Sequence, residues 1–191
     1  MNNNYEELGR SAYLYSKQLG LEPRVNFEKV IESGFIGALE NLCDNQILNF
    51  LLKQFGSGYW GTQCLNIAPQ VFALLHHLNI DCELVYGEVE INGTDEFDTT
   101  LSGLENELKE PGEAGFAIHV WIQIGKNLII DPTIAARLNK YYDPNFPPHQ
   151  TIIGLSEKLS TDKLIYKPML MGAKYMLKTC GVPLQYNVNA R

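Results

Sequence analysis

The stretch Ile118-His119-Val120-Trp121-Ile122-Gln123-Ile124-Gly125-Lys126-Asn127-Leu128-Ile129-Ile130-Asp131-Pro132-Thr133 decides how this chain reads. Its first half alternates in the period-two pattern of a β-strand. Ile118, Val120, Ile122 and Ile124 take one face, and His119, Trp121 and Gln123 take the other. The first face belongs to a core, whereas a core face would not choose an imidazole beside an indole. Gly125-Lys126-Asn127 predicts a three-residue hairpin loop, since Gly125 and Asn127 tolerate the left-handed backbone it needs. In that register Ile124 pairs with Leu128 and Trp121 with Asp131. His119 and Asp131 become diagonal neighbours, about 7 Å apart between Cβ atoms, within reach of an imidazole–carboxylate hydrogen bond. A loop one residue shorter or longer would put Asp131 on the opposite face.

Upstream, the loop Gly56-Ser57-Gly58-Tyr59-Trp60-Gly61 leads through Thr62-Gln63 into Cys64, where a helix to Leu78 is expected, with Asn79 at its end. The glycines fit G-x-G-x-x-G, but a dinucleotide site needs a strand before the motif. An amphipathic helix stands there, so the glycines are read as allowing a sharp turn and a close backbone approach. Unpaired N–H groups at a helix start favour a thiolate at Cys64. An Asp that orients a His, which activates a Cys, is a nucleophile–base–orienter set. That reading assigns Cys64 as nucleophile, His119 as base and Asp131 as orienter. Trp60 and Gln63 are candidates for an oxyanion site, or else a core residue and a solvated helix-start residue. Trp121 is either a substrate contact or a wall over His119. Pro69 predicts that the Cys64 helix starts late or kinks.

Further out, Leu8, Ala12, Tyr15 and Leu19 recur at helical spacing and stop at Gly20. A second helix is expected over 27–42, and a third, capped by Asp44, carries Ile47, Leu48, Leu51, Leu52 and Phe55 to Gly56. Residues 82–91, 117–124 and 128–130 read as strands. Residues 141–150 read as an irregular stretch with an exposed His149, and 169–178 as a last helix. Helices followed by antiparallel strands argue for an α+β fold. The chain reads as a single domain, residues 1–191, with a helical part (1–55), a core (56–135) and an irregular and helical extension (136–191).

The chain has 191 residues, a net charge of −7 and no basic footprint for nucleic acid. Nine acids and one base lie between Glu88 and Glu113, so the acidity is local. That stretch reads as an exposed excursion with one short helix over 101–108. It is either a solvated face, or a lid or acidic rim that favours a basic substrate segment. No apolar run reaches the roughly 20 residues of a membrane span, and the first residues lack a signal-peptide pattern. The expectation is a soluble, cytoplasmic protein. Cys43, Cys64, Cys82 and Cys180 are widely spaced, without the pairing of a disulfide framework or a zinc site. No metal or cofactor is expected.

Gly61-Thr62-Gln63-Cys64-Leu65-Asn66-Ile67-Ala68, the run from Leu75 to Ile80 and Val85-Tyr86-Gly87 resemble the nucleophile helix and first strand of the transglutaminase-like cysteine enzymes. His119-Val120-Trp121 and Asp131-Pro132-Thr133 resemble that family's histidine and aspartate strands, in the same order. The resemblance covers about residues 59–133. It implies a papain-like α+β core, with a nucleophile-bearing helix packed on an antiparallel sheet and extra N-terminal helices. It also implies hydrolysis or acyl transfer at protein or peptide amides, through a Cys64–His119–Asp131 triad and a thioester. Asn127-Leu128-Ile129-Ile130 stands where the family usually has an aromatic residue before the aspartate. The alternatives are a non-catalytic protein-binding module of the same fold and a redox-sensing thiol at Cys64.

Overall fold

A computed structural model describes residues 5–112 and 118–186. It shows an α+β fold. The helices are α1 (Tyr5–Gln18), α2 (Ser33–Leu42), α3 (Leu48–Phe55), α4 (Cys64–His77), α5 (Leu101–Lys109), α6 (Ile134–Tyr141), α7 (Ser156–Thr161) and α8 (Lys174–Cys180). The strands are β1 (Glu83–Ile91), β2 (Thr94–Asp95), β3 (His119–Ile124), β4 (Leu128–Asp131), β5 (Ile152–Leu155) and β6 (Leu164–Met171). All strand pairs are antiparallel. β3 lies along the first half of β1 and β6 along the opposite edge, giving the order β6-β1-β3-β4-β5. The short β2 pairs with the far end of β1, on the β3 side.

The β3–β4 hairpin has the expected register, with Ile124 opposite Leu128 and Gly125 at φ +59°. Gln123 Nε2 donates to the Gly125 carbonyl at 2.9 Å and ties the loop down. The strand expected from residue 117 begins at His119; residue 117 itself lies outside the described residues, as does Glu113 at the end of the acidic stretch. Gly87 in β1 is a position that only glycine can fill. A Cβ there would lie 2.2 Å from the Lys167 carbonyl, at the point where the β1–β6 register shifts.

The expectation of one core face and one open face is corrected. Leu84, Tyr86, Val120, Ile122, Ile124, Ile130 and Leu170 face a core closed by α4, α8 and the α2–α3 helix. Val85, Val89, Trp121, Ile129, Tyr166 and Met171 face a second core, which Tyr5 and Ala12 of α1, Phe97 and Ile134 complete. His119 and Trp121 are thus buried in apolar packing rather than set on a polar face.

Several element boundaries also change. The helix expected over 27–42 starts only at Ser33. Asp44 caps nothing; it sits in a π-helical turn, Cys43–Ile47, that joins α2 to α3 without a break. The residues expected as a last helix over 169–178 divide between β6 and α8, with Gly172 at φ +121° between them. The extension read as irregular and helical supplies two strands of the sheet. His149 is half-buried rather than exposed, with Nε2 3.0 Å from the Gly58 carbonyl.

α4 starts at Cys64 and carries Pro69 within it, so the start is not late. Its first N–H groups bond back to Gln63, from Asn66 at 3.0 Å and Ile67 at 2.9 Å. It packs on β3 and β1, which sets its first residue beside the first residue of β3.

Candidate active site

His119 opens β3 and Asp131 closes β4, so the hairpin loop alone brings them together. His119 Nε2 lies 2.6 Å from Asp131 Oδ2, and both side chains are fully buried. The carboxylate is held by its own turn. Oδ1 accepts from Thr133 N at 2.9 Å, Thr133 Oγ1 at 3.1 Å and Ile134 N at 3.1 Å. Oδ2 also accepts from the Tyr166 hydroxyl at 3.1 Å.

Cys64 occupies the first position of α4 and is 4% exposed. Its Sγ donates to the Ile118 carbonyl at 3.0 Å. His119 Nδ1 is buried without a hydrogen-bond partner, while Cys64 is near enough to act on the ring. A turn of the thiol away from Ile118 is what would bring its proton to Nδ1.

The electrostatics favour charge on the imidazole. Burial opposes that charge, but the Asp131 carboxylate and its hydrogen bond outweigh burial, with a smaller contribution from Cys64. The result is a His119 raised to about 10. Burial likewise opposes charge on Asp131. The His119 charge, its hydrogen bond and the N–H groups of Thr133 and Ile134 outweigh it, and the carboxyl stays below its ordinary value.

The other proposed site residues divide. Gln63 Oε1 accepts from Asn66 Nδ2 at 2.8 Å, which leaves the amide NH2 as its donor. The N–H of Cys64 lies at the end of α4, where the helix has no carbonyl to satisfy it. Both are donors of the kind an oxyanion site needs. Trp60 is not. It is 1% exposed, its Nε1 donates to the Gly56 carbonyl at 3.0 Å, and its ring packs edge-on against His149. Trp121 is fully buried and donates to Tyr5 Oη at 3.0 Å, with its ring 5.9 Å from that of His119. It is a wall, without a surface for substrate.

Of the acids suggested as a rim, Asp95 pairs with Lys167 at 2.6 Å and Glu96 with Arg137 at 2.8 Å. Glu90 shares Lys167 at 2.8 Å, so three charges of the stretch are met within the molecule. The glycine loop is a turn at Gly56, with φ +70°. At Gly61 the close approach is to the Tyr59 and Arg137 side chains rather than to another backbone. Among the described residues no group of three or more His, Cys, Asp or Glu is placed to hold a metal ion. No helix among them is long and apolar enough to cross a membrane.

Sequence reasoning missed Tyr166, Phe97 and Arg137. Only Thr133 carried a local signal: Asp-Pro-Thr before Ile134-Ala135-Ala136 is an aspartate turn that starts a helix. No family model, curated protein or solved structure matches the chain.

Proposed function

We propose that the chain is a transglutaminase-like cysteine enzyme, a hydrolase or acyltransferase of peptide or protein amides, built on a papain-like core. The observation that carries this reading is the buried 2.6 Å His119–Asp131 bond, whose ring turns an unpartnered Nδ1 toward the helix that begins with Cys64. Apolar burial of such a pair is costly unless the charges serve one another, and here the free nitrogen faces a thiol.

In this reading the thiol proton of Cys64 already rests on His119 Nδ1, as the raised imidazole favours, and the thiolate Sγ attacks the amide carbonyl. The N–H of Cys64 and the NH2 of Gln63 receive the developing oxyanion. His119 then protonates the departing amine, leaving a thioester that water or a second amine resolves. Asp131 keeps the ring in place and stabilises the imidazolium throughout. A soluble, cytoplasmic setting fits a thiol chemistry that needs reduced cysteine.

A protein-binding module without turnover is the second reading. One observation favours it: the thiol is directed to the Ile118 carbonyl and almost closed off. Alkylation of Cys64 by iodoacetamide, followed across pH by mass spectrometry of its peptide, separates the two. Peptide-level detection is needed because Cys180 is exposed. The enzyme reading expects Cys64 to react well below the ordinary thiol range near pH 8.5, and His119→Ala to return the reactive limb to it. A Cys64 that is inert in the folded protein, or indifferent to His119, favours the binding module.

A further inference from the structure

Resting on the enzyme reading, we propose that Phe97 is a positioning residue of this site. Clamped between Arg137 and His119, its ring fixes the plane of the imidazole so that Nδ1 stays aimed at Cys64.

Phe97 lies in the acid-rich segment between β2 and α5, yet it is 7% exposed. Its ring stacks on His119 with centroids 4.3 Å apart and planes 13° apart. A stacked imidazole leaves a phenyl ring only its other face. The Arg137 guanidinium lies over the ring, 4.6 Å from the centroid. An imidazole anchored by one hydrogen bond, Nε2 to Asp131, can still swing about that bond. Contacts laid flat along the ring oppose this motion, and Phe97 supplies the closer and more nearly parallel one, at 4.3 Å against 5.9 Å for Trp121. Its π face also attracts a protonated imidazole, so the contact strengthens in the state that follows proton transfer from sulfur.

The clamp is itself held from two sides. Glu88, 2% exposed on β1, accepts from Phe97 N at 2.9 Å, Glu96 N at 3.1 Å and Thr99 N at 2.6 Å, which folds the segment onto the sheet. Arg137 donates through Nε to Glu96 Oε2 and through Nη2 to the Glu96 carbonyl, each at 2.8 Å. The hydroxyl of Tyr142 bonds the same carboxylate. Glu96 thereby balances a cation that would otherwise face the imidazolium across one phenyl ring. The groups that bear on His119 are then Asp131 from β4, Cys64 from α4, the Trp121 ring from β3, Tyr166 from β6 through Asp131, and the Arg137–Glu96 pair behind Phe97.

The test is the pH profile of Cys64 alkylation in Phe97→Ala, Phe97→Leu and Phe97→Tyr, read beside His119→Ala and with thermal melting for each variant. Phe97→Ala and Phe97→Leu are expected to slow alkylation at neutral pH by roughly 3- to 30-fold. Both should move the reactive limb toward higher pH, and Phe97→Tyr should restore it. Leu fills most of the volume without a π face, so it carries the test if the alanine variant fails to fold. A Phe97→Leu profile that matches wild type while His119→Ala abolishes reactivity overturns the clamp and leaves the triad standing. A Tm loss with an unmoved profile likewise reduces Phe97 to packing. Indifference of Cys64 to His119 overturns both the clamp and the enzyme reading.

Discussion

Glu88 and Asp131 are carboxylates on strands of one sheet, each at most 2% exposed, and they are used differently. Both oxygens of Glu88 go to backbone N–H groups: Val89, Glu96 and Phe97 on Oε1 and Thr99 on Oε2. Asp131 divides its oxygens. Oδ1 serves the turn into α6, and Oδ2 is kept for the His119 ring and the Tyr166 hydroxyl. Burial is the same in the two regions; the partner differs. A carboxylate spent wholly on its own loop folds that loop. One that reserves an oxygen for a titratable ring sets where that ring keeps its proton.

The largest effect expected is at Asp131. Asp131→Ala leaves a buried imidazole without its counter-charge and should destabilise by about 3–5 kcal/mol, with Cys64 alkylation at neutral pH falling to the His119→Ala level. Asp131→Asn keeps the shape and exposes the pH dependence. His119 in the folded protein is raised to about 10, against roughly 6.5 when unfolded. Its contribution is therefore complete below about pH 6.5 and is lost as pH rises through the folded value. Asp131 is lowered, so its contribution is present above about pH 4 and is lost as pH falls through that lowered value. The stability gap between wild type and Asp131→Asn should be widest between about pH 4 and 6.5 and shrink toward pH 10. A gap that stays flat from pH 6 to 10 would show that the folded protein holds His119 neutral.

Glu88→Gln comes next. The amide offers one acceptor oxygen where the carboxylate offers two, so a backbone N–H at Thr99 or at the Glu96–Phe97 turn meets an NH2 group. The loss should be about 1–3 kcal/mol in chemical denaturation. Cys64 reactivity should change only as far as Phe97 shifts, and less than in Asp131→Asn. If Glu88→Gln silences Cys64 as fully as Asp131→Asn does, the distinction between the two carboxylates breaks down.

The hairpin that joins His119 to Asp131 was legible because its information is local. Alternation marks the strands, and Gly125 and Asn127 set a loop length that fixes which face Asp131 takes. The start of α4 at Cys64 and the short helix α5 were legible for the same reason; Thr100 caps α5 through Gly103 N at 3.1 Å. β6 was not. Both of its faces carry apolar residues, its partner β1 is far away in sequence, and Pro168 argues against a strand. The fold admits Pro168 because β6 is an edge strand and the register shifts beside it, opposite Gly87. Missing β6 meant missing Tyr166. Phe97 was hidden by its setting, one apolar residue between Glu96 and Asp98 in a segment whose charge suggested solvent. What buries it is Glu88, another acid of the same run, and composition does not tell a carboxylate turned inward from one turned outward. The reading of Asp44 as a cap failed through continuity, because the π-helical turn lets α2 run on into α3.

The smallest effect expected is at Tyr166, and it sharpens the comparison most. Its phenol, kept protonated by burial and then by the Asp131 charge, donates to the same Oδ2 that binds His119. Tyr166→Phe removes that donor and leaves the imidazole in place, because the three bonds to Oδ1 still hold the carboxylate. A melting experiment should record a loss of about 0.5–1.5 kcal/mol, the ordinary net worth of one hydrogen bond. With one donor fewer, Oδ2 is the better partner for an imidazolium, so Cys64 alkylation at neutral pH should stay within about threefold of wild type. A collapse of reactivity to the Asp131→Asn level would instead make Tyr166 part of the relay. Asp131 would then orient His119 only with a hydroxyl supplied by the edge strand β6.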